Sequence, residues 1–340
     1  MVITIRRCKN CLIYENFPNV KLNKNRICNH CLEAESPNKK DTRFDKKKVK
    51  KEFEEYIKKI KGKNKYDCVL LFSGGKDSAY LLHLLIDKYG LNVLTVNVDN
   101  GLEPAVSRYN IKKSIDFFKN DHITVKPEND FFKRLYCHRI LNPTENNYTE
   151  SLCWICQDVI RSAGLNIAAE NNIPLVVGGY APDQGNRVGY SEDKLSKSLI
   201  PEDLYSEKFS EKDRGYLWDP KRYDNIPRMV HPLVFLGYPD QDEIVEILSD
   251  IGLIKKRKLD PFATNCYMMW LLSFLDLYVN NYSTYVEFIC NRIRQGKSNH
   301  LFWLIFLPIG YRLMKYGLIK RGQINKALKY VDLSLEDIID

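Results

Sequence analysis

The chain has 340 residues, 28% of them charged and 12% aromatic, with a formal net charge of +9. That length and aromatic content support one large α/β domain with smaller additions and exclude a disordered or fibrous chain. The longest apolar run, residues 301–310 (LFWLIFLPIG), is about half of a bilayer span and contains Pro308, so no transmembrane helix is expected.

In chain order, residues 1–35 come first and carry Cys8-x2-Cys11 and Cys28-x2-Cys31. Two such knuckles give four thiolates able to close on one tetrahedral ion. A segment this short cannot bury enough apolar surface to fold alone, so bound metal would supply the stability. Zinc is the first expectation and iron the second; the alternative is four unrelated thiols. The start, MVITIRRCKN, lacks the apolar core of a secretory signal, and ten cysteines in such a chain point to the cytoplasm, where thiols bind metal or do chemistry.

Residues 36–64 read as a charged linker and surface helix. Their lysine-rich part, KKKVKKEFEEYIKKIKGKNK, could attract nucleic acid, nucleotides or anionic lipid. A solvated helix with Lys–Glu pairs is the preferred reading.

Regular α/β alternation occupies residues 65–235. A strand over 66–72 runs into Ser73-Gly74-Gly75-Lys76-Asp77-Ser78 and then into a helical pattern. A second strand, 91–98, ends in Asp99-Asn100-Gly101; a helix over 104–119, a strand at 122–125 and a helix over 131–140 follow. A longer helical pattern, 151–170, begins around Cys153-Trp154-Ile155-Cys156. A strand at 173–177 then leads into Gly178-Gly179 and Asp183. Strands alternating with helices predict a doubly wound parallel sheet, with ligands at the carboxyl ends of its strands. The three strand exits should line one crevice. Residues 184–228 are polar and without periodicity, which predicts a lid or substrate loop. Residues 236–340 read as a helical C-terminal region in which 301–310 is a buried helix or a surface meeting a partner or a membrane face.

A strand, a glycine-rich turn and a helix N-terminus make an anion site, because glycines allow close approach and unpaired helix N–H groups point at the ligand. The usual P-loop needs four residues between its glycines and a GK[ST] ending, which this turn lacks. The cysteines divide into the N-terminal four and a second set, Cys153 and Cys156 joined by Cys266. This second set could hold a [4Fe–4S] cluster or a second zinc with an open position, could supply nucleophiles activated at a helix entrance, or could simply pack beside Trp154. Cys68, Cys137 and Cys290 read as core.

The run SGGKDS resembles the SGGxDS signature of the PP-loop ATP pyrophosphatases, which cleave ATP between the α and β phosphates and leave AMP on a substrate oxygen. The resemblance implies that Ser73, Gly74, Gly75, Lys76, Asp77, Ser78, Asp99, Gly178 and Gly179 bind ATP. It also implies that Lys76, Asp77 and Asp183 act in catalysis, with Asp77 or Asp183 on Mg²⁺. Beyond the loop, CKNC…NRICNHC, LCWIC, NNIPLVVGG and INKALKYVDLSLEDI resemble the N-acetyl sugar amidotransferases of surface-polysaccharide biosynthesis. That likeness implies a nucleotide-linked sugar as acceptor and ammonia from a separate glutaminase. The Cys153, Cys156 and Cys266 set also resembles the cluster site of tRNA thiolation enzymes, implying tRNA and a sulfur donor. A third reading is a nucleotide-binding module without catalysis.

Overall fold

The computed structural model describes residues 6–35, 44–128, 130–144, 147–181, 197–254 and 266–339. In chain order its main elements are α1 (Asn29–Glu35), α2 (Lys46–Ile60), β1 (Cys68–Leu71), α3 (Lys76–His83), β2 (Val93–Val98), α4 (Ala105–Phe118), β3 (His122–Val125), α5 (Phe131–Leu141), α6 (Tyr148–Glu170), β4 (Leu175–Val177), α7 (Glu211–Gly215), β5 (Arg228–Val230), α8 (Gln241–Asp250), α9 (Met268–Asn280), α10 (Val286–Arg294), α11 (His300–Lys315), α12 (Arg321–Val331) and α13 (Glu336–Ile339).

The strands form one five-stranded sheet in the order β3-β2-β1-β4-β5. Every pairing is parallel, with Val69 opposite Leu94 on one side and Val176 on the other. β1, β2 and β4 are buried along their whole length, as strands covered on both faces must be, and their sequences are accordingly almost unbroken Val and Leu. The chain lays β2 and β3 on one side of β1, then crosses back to put β4 on the other. That reversal is a topological switch point, and the crevice beyond the carboxyl ends of β1 and β4 is where such sheets bind ligands.

The doubly wound sheet, the four-cysteine group and the helical C-terminal region all match the sequence expectation. β5 does not: it is three residues long and lies at the end of the stretch read as a polar loop. That stretch is also better packed than its composition implies, since Leu204, Leu217 and Trp218 in it are fully buried. The charged segment forms α2, whose Val49, Phe53, Ile57 and Ile60 are buried; the Phe53 ring packs on Phe235 at 5.3 Å. It is an amphipathic helix held by an apolar stripe, with its lysines on the solvated side.

The chain divides into two compact units. One, the sheet unit, comprises residues 45–135 and 154–266; the other, the helical unit, comprises 1–44, 136–153 and 267–340. The N-terminal cysteine module therefore belongs with the C-terminal helices, far from it in sequence. Asn16 donates to the Asn280 carbonyl at 2.7 Å, and the Phe17 and Tyr282 rings pack at 4.9 Å.

Candidate functional site

The loop after β1 is shaped by its backbone. Gly74 has φ +68°, and a Cβ there would lie 2.5 Å from the Ser107 carbonyl oxygen and 2.8 Å from Ile111. α4 closes directly behind the loop, and Asn110 donates to the Gly74 carbonyl at 3.1 Å. Gly75 is the extended N-cap of α3, and no side chain caps that helix. Its first N–H groups, with the positive end of the helix dipole, are thus available to an anion. Ser78 donates to the Gly75 carbonyl at 3.0 Å, and its hydroxyl lies 3.3 Å from that of Ser73.

Lys76 Nζ reaches both oxygens of Asp77, at 2.7 and 2.9 Å, and the pair is partly buried. The Tyr238 hydroxyl donates to the same carboxylate. Tyr238 had no signal in the sequence, because it lies outside every motif and arrives from beyond β5.

The other two strand exits carry the remaining expected residues. Asp99 accepts from Gly101 N–H at 2.9 Å, and Asn100 from Leu102 N–H at 3.0 Å, so each carboxyl-end side chain is pinned by its own turn. Asp99 also lines a cleft of about 290 Å³ with Asn97, Glu103, Lys112 and His122. Burial pushes the Glu103 carboxyl above the ordinary range and the charge of Asp99 adds to this, while a hydrogen bond from Asn97 opposes it. After β4, a Cβ on Gly178 would lie 2.5 Å from His231 Nδ1, and one on Gly179 would lie 3.3 Å from Ser78 Cα. The two glycines thus let the β4 exit press against His231 and the first turn of α3. Asp183 lies outside the described residues.

The second cysteine set differs from expectation in two respects: its three sulfurs do not all lie within 4.8 Å of one another, and its helix starts earlier. α6 begins at Tyr148, so Cys153 and Cys156 lie in its second and third turns. The influence of a helix terminus fades within its first turn, so an entrance effect on these thiols is lost. All three thiols are partly buried. Asn100 Nδ2 lies 3.8 Å from Cys266 Sγ, which puts Cys266 at the β2 exit. Gln157, next to Cys156, accepts from the Tyr180 hydroxyl at 2.9 Å, which puts that turn of α6 at the β4 exit. The sheet unit thereby carries two of the three thiols at its strand ends. Cys153, one helical turn before Cys156, counts with the helical unit.

The first set is a buried sulfur cluster. Cys8, Cys11, Cys28 and Cys31 place their Sγ atoms within 4.8 Å of one another, the one such metal-compatible group among the described residues. Cys8 and Cys31 approach to 3.8 Å, Cys11 and Cys28 to 3.6 Å. Four all-sulfur donors at these separations fit a single tetrahedral ion. Donation from Cys11, Cys28 and Cys31 holds the Cys8 thiol low, while the same crowding, led by Cys11, pushes Cys28 and Cys31 up. Four thiolates this close repel one another, so a cation is what lets all of them ionise. Two residues of α10 complete the surroundings. Arg294 Nη1 donates to Cys11 Sγ at 3.2 Å, and the buried Cys290 lies beside the same cysteine. Sequence reasoning missed Arg294, since α10 carries no knuckle spacing, while Cys290 is fully buried, as its reading as core expected.

No family model matches the chain. It is 54% identical over 54 residues to an uncharacterised protein of Methanocaldococcus jannaschii, a match spanning 16% of this chain and 20% of that protein. Among solved structures it is similar to the U34-tRNA thiolase NcsA from Methanococcus maripaludis with its [4Fe–4S] cluster, at 17% identity and a TM-score of 0.36 over 97% of this chain and 91% of that one. It is also similar to the NMN synthetase from Francisella tularensis, at 14% identity and a TM-score of 0.38 over 75% and 97% of the two chains. A third is the NH3-dependent NAD synthetase from Campylobacter jejuni, at 15% identity and a TM-score of 0.37 over 75% and 95%.

Proposed function

We propose that the chain is an ATP pyrophosphatase that activates a carbonyl oxygen of its substrate as an adenylate. The observation that carries this is the open, glycine-shaped loop at the switch point, where an uncapped helix N-terminus faces the crevice. Residues 73–78 would hold the pyrophosphate through backbone N–H groups and the Ser73 and Ser78 hydroxyls. Lys76, now paired with Asp77, would turn to the departing pyrophosphate and offset its charge. The carboxylate of Asp77, held in place by Tyr238, would then be free for Mg²⁺, which prefers oxygen donors, and Asp183 is a second candidate. Asp99 would meet the adenosine. The substrate oxygen forms a bond to the α-phosphorus as the bond from that phosphorus to the bridging oxygen breaks, and pyrophosphate leaves. An incoming nucleophile then displaces AMP from the carbon.

Sulfur is the incoming atom that the cysteine placement supports, with Cys266 at the β2 exit and Cys156 beside the β4 exit. In this reading Cys153, Cys156 and Cys266 would be ligands of a [4Fe–4S] cluster, and tRNA or a small molecule would be the acceptor. Amidotransfer to a nucleotide-linked N-acetyl sugar is the second reading, supported by the motif resemblance at both ends of the chain; its ammonia would come from a separate glutaminase. The N-terminal four cysteines would hold zinc in a closed structural site under either reading.

Two measurements test this. Lys76→Ala should lower ATP-to-pyrophosphate turnover at least ~100-fold with the fold intact, a loss typical of a group that meets developing charge. Unchanged turnover would remove the nucleotide role. Anaerobic purification separates the two nucleophiles: a brown protein whose iron disappears on Cys156→Ser supports sulfur, whereas a colourless protein active with ammonia supports amidotransfer.

A further inference from the structure

α11 buries one side and exposes the other, and the exposed side is apolar as well. Trp303, Leu307 and Met314 face inward. Leu301, Phe302, Leu304, Ile305, Phe306 and Ile309 are all exposed, Leu301 and Ile305 by 67% and 63%. Leu301, Ile305 and Ile309 follow one another at four-residue spacing and form a ridge, with Phe302 and Phe306 stacked at 5.1 Å beside it. The face continues past the helix into Tyr316 and Leu318, exposed by 76% and 70%. An apolar face this continuous is not a solvated surface.

Charge identifies what covers it. From Phe288 to Val331 the chain carries nine lysines and arginines and no aspartate or glutamate. Arg312 and Lys315 lie on the exposed side of the last turns of α11. Lys315 lies over the ring of Tyr278, itself exposed, and Lys320 and Lys326 lie over Trp270 and Tyr267. A second copy of the chain would set this basic rim against its own image. A nucleic acid would satisfy the charge and leave the aliphatic ridge in water. A layer that is anionic at its surface and hydrocarbon just beneath satisfies both.

We propose that α11 is a membrane-docking helix that lies flat in the headgroup region of an anionic lipid surface. Its aliphatic ridge enters the acyl boundary while Arg312 and Lys315 meet the headgroups. No helix among the described residues is long and apolar enough to span a bilayer. The inference stands independently of the nucleotide site.

Co-sedimentation of the full chain with phosphatidylcholine vesicles, with and without phosphatidylglycerol, tests it. Binding should be at least ~10-fold tighter to the anionic vesicles and should weaken as salt is raised. The double variant Ile305→Ser/Ile309→Ser should lose at least ~10-fold, since both side chains are exposed and their removal leaves the buried side of the helix intact. Arg312→Gln/Lys315→Gln should lower the salt dependence and spare the residual binding. Unchanged circular dichroism shows that each variant is folded. Failure to bind anionic vesicles, or equal binding by the Ile305→Ser/Ile309→Ser variant, overturns the proposal. So does a dimer that this variant converts to monomer, or binding to RNA in place of vesicles that the Arg312→Gln/Lys315→Gln variant loses.

Discussion

The loop after β1 and the N-terminal cysteine cluster are both short polar sites, and they are built in opposite ways. The loop is made of backbone: a glycine at φ +68°, an uncapped helix and close packing against α4. The cluster is made of side chains: four buried sulfurs that hydrogen-bond to one another. A backbone site is stable on its own and presents donors to whatever anion arrives. A crowded thiolate site is stable only around a cation. The first therefore suits a substrate that comes and goes, the second a resident ion.

The largest effect should come from removing a sulfur. Cys8→Ser should abolish stoichiometric metal and unfold the module around it, because structural zinc carries roughly 10–16 kcal/mol of apparent binding energy in small modules. Full metal content in the variant, read by elemental analysis, would show that the cluster is not a single closed site.

Next is the loop. Gly74→Ala puts a Cβ against the Ser107 carbonyl in a left-handed conformation, which should cost roughly 3 kcal/mol of stability and displace the donors. Chemical denaturation and ATP-binding titration should both register it. Wild-type affinity would mean that the loop adapts, and the contrast with the rigid cluster would fall.

Smaller is the contribution of the charge outside the cluster. Arg294→Met keeps the length of the side chain and removes its donor to Cys11, so metal loss to a chelator should speed up by about 10–100-fold, as for other groups that support metal ligands. An unchanged release rate would make Arg294 a packing residue.

The smallest effect contrasts two helix starts. α3 is left open, whereas the buried Asp276 closes α6 by accepting from the Tyr148 and Thr149 N–H groups and the Thr284 hydroxyl. Burial pushes the Asp276 carboxyl up, so the folded chain holds its proton more tightly than the unfolded chain does. Stability from this group is then present at low pH and falls as pH rises from about 4, the ordinary carboxylate value, through the raised one. Asp276→Asn should flatten that fall in urea midpoints measured against pH. An identical pH profile would show that the carboxylate gains from its donors all that burial costs it.

What was legible in the sequence was local. The strand ending in SGGKDS fixes a turn and helix start because glycine conformation and helix capping depend on immediate neighbours, and β3 and α4 were read to within a residue or so. The knuckles were legible for the same reason. β5 was not, because three residues are too few to show a period. The start of α6 was misplaced because its cap, Asp276, is remote in the chain.

Residue spacing within short segments was enough to show four of the five strands, the glycine turn and the two cysteine knuckles. Packing of distant segments in the fold brings Asn110 and Ser107 behind Gly74, sets Tyr238 on Asp77 and brings Cys266 to Asn100. It also decided that α10 supplies the charge beside Cys11 and that α11 shows its apolar side outward. These depend on which distant segments pack together, and side-chain chemistry at one position says nothing of what another segment brings to it.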